Sequence, residues 1–498
     1  MLIIIMTTFL NKYQLIDQAH PKLIMNVKTV ITILLFIVFG WSSWIDVNGL
    51  WVELPVMVHQ LPEGWNLPSY FTVMIQLANI GPLAYGLVKY LCRRRPLNSE
   101  DGGLQTLETV TIFIITGVGM LATLLLAFFW HETSFIGGVE HSTVLLVLVF
   151  FLSLVDCTSS VTFLPFLSRF KAIYMTPFYI GEGLSGLLPT ALAFIQGSGE
   201  YSCVNQTTNG TSSIQPNYYP LLFPVQDFFV VLCCMLSLSI LAFIVLRYSG
   251  YCRSEVCDKP EYLKGYQSSN TGSERFANST VTESQATLPV VDSGSPMISG
   301  GQKSGLTTVQ YFSLLGVMAL VSCLANGALP SIQIYSLLPY GQLYYSLGVK
   351  LAMLANPLAC FLGFCAFRQS FIVLNILTAV AMASAAYIIV IASYSPTPPV
   401  EGVAGAVFMV LVWIIFTAVV SYLKVYISSI LLKKGHSALF WAGVVTQVGS
   451  CVGAIVAFIC TTVAQLFTPA PFLLNVHLPN VSNSSGLAKY YMKMFYLL

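Results

Sequence analysis

Apolar residues dominate the chain in long runs separated by short polar connections. Eleven runs reach the length of about 20 mostly apolar residues that a bilayer-spanning helix needs. They lie at 28–58, 70–92, 107–130, 142–166, 172–197, 219–247, 308–333, 343–366, 370–394, 402–432 and 437–462. The first and tenth are long enough to tilt or protrude. One connection, 248–307, is long and rich in Ser, Thr, Gly and charge, a composition expected to be disordered. It divides the runs into six and five. The pattern predicts an all-α polytopic membrane protein. Its parts are an N-terminal tail (1–27), a first helical bundle (28–247), the polar loop, a second bundle (308–462) and a C-terminal tail (463–498).

Composition agrees. Of 498 residues, 56% are hydrophobic and 8% charged, against about 25% charged in soluble domains, and the mean hydropathy is +0.77. So few charges cannot cover a soluble surface. The opening MLIIIMTTFL lacks a basic stretch before it and a small-residue cleavage site after it, so it reads as a retained tail. The twelve cysteines form no CxxC pairs and no metal-ligand spacing.

Positive charge orients the helices. With a cytosolic N-terminus, Arg93, Arg94, Arg95, Arg169, Lys171, Arg247, Arg253, Arg368, Lys433 and Lys434 all fall in inner connections, and the outer connections between helices hold no Lys or Arg. The glycosylation sequons concur. Asn205 and Asn209 lie in the outer loop after the fifth run, and Asn480 and Asn483 lie in a tail that an odd span count places outside. Asn278 falls in the inner loop and is expected to stay unmodified.

The two groups of runs are related. Asn48-Gly49, Leu61-Pro62-Glu63-Gly64, and Leu77-Ala78-Asn79 with Pro82 recur in order as Asn326-Gly327, Leu338-Pro339-Tyr340-Gly341 and Leu354-Ala355-Asn356 with Pro357. The fifth and eleventh runs match more loosely. Six runs separate the copies, an even number, so the repeats are parallel. Such carriers bind at the interface of the repeats near the membrane midplane and work by rocking.

Ionisable groups inside a bilayer are costly and usually face a cavity or a partner. Asp46, Glu53, Asp156, Glu182 and Lys424 are the candidates. Glu53 is near the outer boundary, either solvated or part of an external gate. Glu182, in GEGLSG among glycines that let helices approach closely, is paired, protonated or on the path. Lys424 either forms an ion pair with Asp156 or contacts a substrate. Uncharged groups suit a ligand better: Trp44, Asn48 and Trp51 share a helical face, Asn326 is the repeat mate of Asn48, and Thr162, Tyr422 and Gln447 add a hydroxyl, a ring and an amide. Rings with amides and hydroxyls fit a planar, uncharged, hydrogen-bonding solute, although a tryptophan also serves as an interfacial anchor. No nucleotide-binding loop, HExxH or GxSxG is present, which disfavours an enzyme.

The segments GLWVELP (49–55), LPEGWNLPSY (61–70), VDCTSSVTFLPF (155–166), GEGLSGLLP (181–189) and SYLKV (421–425) resemble the eukaryotic riboflavin transporter family, solute carrier family 52. IQLANIGPL and VDCTSSVTFLPF are most similar to its third member. The resemblance covers residues 28 to 462 except the central loop. It implies riboflavin uptake across the plasma membrane, independent of sodium and favoured by acid pH. It also implies a fold similar to the equilibrative nucleoside transporters and the major facilitators. No cofactor is implied, since riboflavin is the substrate, and no nucleic acid; a monomer in the lipid bilayer is expected. The resemblance carries Trp44, Asn48 and Asn326 over as ligand contacts, and less directly Thr162, Tyr422 and Gln447. Glu53, Glu182, Asp156 and Lys424 are expected to gate or to sense protons. Family members have a small neutral residue where this chain has Asp46, so no role passes to it. A flavin-binding receptor or channel without turnover is the alternative, which the duplicated halves disfavour.

Overall fold

A computed structural model describes residues 27–58, 60–64, 67–94, 100–197, 201–208, 211–218, 220–256, 306–362 and 370–468. The N-terminal tail, most of the central loop with Asn278, the C-terminal tail with Asn480 and Asn483, and Asn209 lie outside them.

The chain runs through α1 (Val27–Trp41), α2 (Ile45–Met57), α3 (Leu67–Leu77), α4 (Ile80–Arg94) and α5 (Glu100–Phe129) to a hairpin, β1 (Ser134–Ile136) and β2 (Val139–His141). It continues with α6 (Thr143–Leu167), α7 (Met175–Gln196), a second hairpin, β3 (Tyr201–Thr208) and β4 (Thr211–Tyr218), α8 (Val225–Tyr248) and α9 (Gly250–Arg253). After the central loop come α10 (Thr308–Ser322), a π-helical turn (Cys323–Ala328), α11 (Leu329–Leu337), α12 (Gln342–Phe361), α13 (Phe371–Ser393), α14 (Gly402–Leu432) and α15 (His436–Phe458).

The all-α reading therefore holds for the membrane part and misses two hairpins in the connections. Both pair antiparallel. The first is legible after the fact: Gly137 and Gly138 both have positive φ, +63° and +86°, the backbone that a two-residue turn between right-twisted strands requires. Asn205 sits on β3.

Counting the pair α1–α2, bent by 51°, as one span, ten helical segments among the described residues are long and apolar enough to cross a membrane. The eighth predicted run forms α12, a 20-residue helix, but Tyr344, Tyr345, Ser346, Lys350 and Asn356 dilute its apolar character. The count of eleven is thus not established by length and apolarity. The central loop also begins later than expected. Residues up to Val256 are held by α9, by a bridge from Phe170 to Val256, and by Glu255, which accepts from Lys171 Nζ and the Tyr174 hydroxyl, each at 2.7 Å.

The first span of each repeat is interrupted at matching places. Between α1 and α2, the Ser42 and Ser43 hydroxyls donate to the carbonyls of Phe39 (2.8 Å) and Gly40 (2.7 Å), satisfying acceptors that the broken helix leaves open. In the second repeat the π turn holds Cys323 to Ala328, including Asn326-Gly327. Interruptions of this kind are tolerated at membrane depth where they face protein or a cavity.

Close backbone approach packs helices within the first bundle and across to the second. Gly181 of α7 lies against the Ile37 carbonyl and Gly40 Cα of α1, and Gly183 lies against Pro357 of α12. Without a hydrophobic drive between helices in lipid, such small-residue contacts supply much of the packing energy. One large core spans both sets of helices, with Phe36, Phe39, Phe163, Phe166 and Tyr174 at its centre. A second lies within the first set, around Leu50, Phe71, Phe228 and Phe229.

Glu63 of LPEGWNLPSY is buried and accepts from the Ser142 amide (2.8 Å) and hydroxyl (2.6 Å), just before α6. His141 Nδ1 is 3.4 Å away. Burial pushes this carboxyl up, but the Ser142 hydrogen bonds outweigh it and hold Glu63 below the ordinary carboxylate range. A depressed folded-state pKa contributes stability above the unfolded value, about 4.3, which is lost as pH falls through the folded value. Glu63→Gln is expected to lower the melting temperature at pH 7. The gap to wild type should narrow in melts taken progressively below about pH 4.3.

Candidate functional site

A narrow cleft lies between the two helix interruptions. Ser43 and Trp44 line it from the first break, Asn326 from the π turn, and Ser159, Ser160 and Leu164 from α6. Phe178, Tyr179 and Glu182 of α7, Met318 of α10, Lys424 of α14, and Gly443 and Thr446 of α15 complete the wall. Its free volume is about 30 Å³, far below the about 300–1,000 Å³ of small-molecule sites, so in this state the cleft is nearly closed and has to widen to take a ligand.

Of the sequence-predicted residues, the cleft unites Trp44, Asn326, Glu182 and Lys424. Asn48 stands one helical turn beyond Trp44, its amide bonded to the Trp44 carbonyl at 3.0 Å. Its Nδ2 donates to Ser185 Oγ at 3.2 Å. Three others do not reach the wall. Thr162 is fully buried and its hydroxyl returns to the Thr158 carbonyl of its own helix at 3.0 Å. Tyr422 packs with Tyr426, ring centres 6.0 Å apart. Gln447 stands one layer behind, donating to the wall residue Ser160 at 2.7 Å. Of the tryptophans near the first break, Trp41 donates to the Met235 carbonyl (3.1 Å) and Trp51 packs edge-on against Phe71.

Two readings of the ionisable residues are corrected. Lys424 does not pair with Asp156. Its Nζ donates to Asn326 Oδ1 at 3.3 Å, and the carboxylate whose field it feels is Glu182. Asp156 instead meets Asp46, both fully buried. Depth along the helix matched Asp156 with Lys424, but azimuth decides contact, and Asp156 points away from the cleft into its own bundle. Glu53 is not solvated either: it is buried completely, with Gln196 as its polar neighbour. A membrane-boundary position in sequence does not reveal that the end of α7 covers it.

The aspartate pair is an exception to good interior pairing. Asp46 Oδ1 accepts from the Val47 amide at 3.0 Å, while among the described residues Asp46 Oδ2 and both Asp156 oxygens meet no donor except a proton that the two carboxyls share between them. Two acids in contact repel once both ionise. Asp46→Asn supplies a donor to Asp156 and removes that repulsion, so the melting temperature of the detergent-purified protein is expected to rise by a few degrees at neutral pH.

The wall residues that sequence reasoning missed are Ser43, Ser160, Leu164, Phe178, Tyr179, Met318, Gly443 and Thr446. Ser160 had a signal, as a neighbour of Ser159 within VDCTSSVTFLPF. Gly443 had one only in three dimensions, where it packs on the Ser160 backbone across the two sets of helices. At opposite ends of the bundle the same two sets touch again. Lys350 Nζ of α12 sits 3.3 Å from the Phe194 ring centre of α7. At the other end His436 of α15 stands 3.6 Å from Glu108 of α5, which also pairs with Arg169, and Lys89 lies over Phe440.

The family model described as solute carrier family 52, riboflavin transporter, matches residues 28–469. Riboflavin transporter 2 of Salmo salar is 39% identical over 459 residues, covering 88% of this chain and 97% of that protein. Member 3 of the human family is 37% identical, covering 90% of this chain and 98% of that protein. Human member 1 is 39% identical, covering 88% and 96%. Among solved structures, the major facilitator proton:xylose symporter XylE superposes with a TM-score of 0.51 at 12% identity, over 88% of this chain and 89% of that one. That likeness shows the fold: a helical, multi-pass transporter architecture.

Proposed function

Since the chain belongs to solute carrier family 52, a family of membrane transporters and not of enzymes, we propose that it carries riboflavin across the plasma membrane by alternating access. One observation supports this above the others: the cleft pairs rings with amides and hydroxyls between two matched helix breaks. The isoalloxazine ring stacks on Trp44 or the aromatics of α7, and its uracil-like edge and the ribityl hydroxyls meet the polar groups. Glu182 and Lys424 together bring no net charge, which suits an uncharged solute.

Transport is independent of sodium and favoured by acid pH, with Glu182 as a titrating group in the cleft. The Lys350–Phe194 contact at one end and the Glu108–His436 contact at the other are the places where the two helical sets part in turn as the carrier rocks. The N-terminus faces the cytosol and the C-terminus the outside, with Asn205, Asn209, Asn480 and Asn483 glycosylated. The carrier acts as a monomer.

The test is uptake of radiolabelled riboflavin by cells expressing the chain, with flavin nucleotides, nucleosides and lumichrome as competitors. Saturable uptake that is stimulated by riboflavin preloaded on the opposite side is the expected result. Binding without counterflow would mark a receptor instead. If Glu182→Gln keeps the full acid stimulation, Glu182 is not the titrating group.

A further inference from the structure

The two repeat-related asparagines are fixed by their neighbours in opposite senses. A carboxamide has one acceptor and one donating end, and which end faces a ligand depends on what holds the other. At Asn326 the holder is Lys424, an ammonium with donors only. The contact at 3.3 Å therefore engages Oδ1 and leaves Nδ2 toward the cleft that Asn326 lines. Among the described residues Nδ2 has no hydrogen-bond partner, and it is not among the buried unsatisfied atoms.

At Asn48 the holder is Ser185. Its hydroxyl hydrogen is already spent on the Glu182 carbonyl at 2.6 Å, so its oxygen can only accept. Asn48 must then donate with Nδ2, as the 3.2 Å contact records. Its Oδ1 is the free end, again absent from the buried unsatisfied atoms. Asn48 follows Trp44 by one turn of α2, on the same helical face. Ser185 follows the wall residue Glu182 by about one turn of α7.

We propose that Lys424 and Ser185 are positioning residues that set the hydrogen-bond polarity of the site: Asn48 reads a donor on the substrate and Asn326 reads an acceptor. An imide edge, one N–H flanked by carbonyls, is the chemical class with both in one plane. The inference rests on the riboflavin reading and names which atoms of the flavin meet which repeat.

Isosteric substitution separates polarity from shape. Asn326→Asp keeps the contact to Lys424 but replaces the free donor by an acceptor. A site left with an unmatched polar group loses about 10- to 100-fold in affinity, and riboflavin uptake by Asn326→Asp is expected to show that loss in apparent KM. Competition with N3-methylriboflavin, which lacks the imide N–H, probes the other asparagine. It should inhibit wild type at least about tenfold more weakly than riboflavin does, and the ratio should collapse toward one in Asn48→Ala. For the positioning role, Lys424→Arg retains a donor to Oδ1 and is expected to preserve the preference for riboflavin over competitors. Lys424→Met frees the amide to turn and should flatten that preference even where protein yield is normal. Wild-type uptake with an unchanged KM in Asn326→Asp, or an N3-methyl penalty that persists in Asn48→Ala, would overturn the polarity assignment. Absence of riboflavin uptake by wild type would instead overturn the riboflavin reading itself.

Discussion

Alanine at Asn48 or at Asn326 is expected to reduce riboflavin uptake at least about tenfold, while the protein accumulates at the wild-type level. Neither side chain supports the fold. Asn48 holds only the Ser185 hydroxyl, which keeps its own bond to Glu182. Among the described residues Asn326 holds only Lys424, whose ammonium remains on the cleft wall near Glu182. What each truncation removes is one polar partner for a desolvated ligand, an omission that hydrogen-bonding sites penalise steeply. Initial-rate uptake normalised to immunodetected protein measures the effect. Unchanged KM and rate in both variants would remove the asparagines from the binding site.

Valine at Gly181 is expected to cost the fold itself. A side chain there meets the Ile37 carbonyl and Gly40 Cα, which are backbone and cannot turn aside. The helices α1 and α7 would have to separate just below the break that carries Ser43 and Trp44. Overpacking of an interior typically costs about 1–3 kcal/mol and more where backbone is the obstacle, a large part of the about 5–15 kcal/mol that holds a domain. The monodisperse fraction in detergent size-exclusion chromatography should fall sharply. Gly316→Val on α10, where the added atom meets nothing within 4 Å, serves as the control and should behave as wild type.

Much of this architecture was legible in the chain. Most of the apolar runs coincide with helices. The Asn-Gly echo lies close to where the first helix of each set is interrupted, with Asn326-Gly327 inside the π turn and Asn48-Gly49 one turn past the break at Ser42–Trp44. The family resemblance rested on motifs whose structural duties are now visible: Glu63 of LPEGWNLPSY anchors the start of α6, and the glycines of GEGLSG admit α1 and α12. The hairpins were missed because a reading tuned to membrane helices looks for runs of about 20 residues, and three-residue strands around Gly137-Gly138 leave none. The span count falls short at α12 because Tyr344, Tyr345, Ser346, Lys350 and Asn356 dilute its apolar character.

The site divides along the same line. Sequence alone determined that Trp44, Asn326, Glu182 and Lys424 are polar or aromatic intrusions in otherwise apolar helices, because in lipid such residues stand out against their neighbours. Only the tertiary structure decided their partners. Lys424 and Asp156 share a depth, yet the rotation of α14 and α6 about their axes turns one toward Asn326 and the other toward Asp46. Depth follows from counting residues along one helix. Azimuth follows from how several helices pack at once, through contacts such as Gly181 on Gly40 and Gly443 on Ser160, and no single run of sequence contains that information.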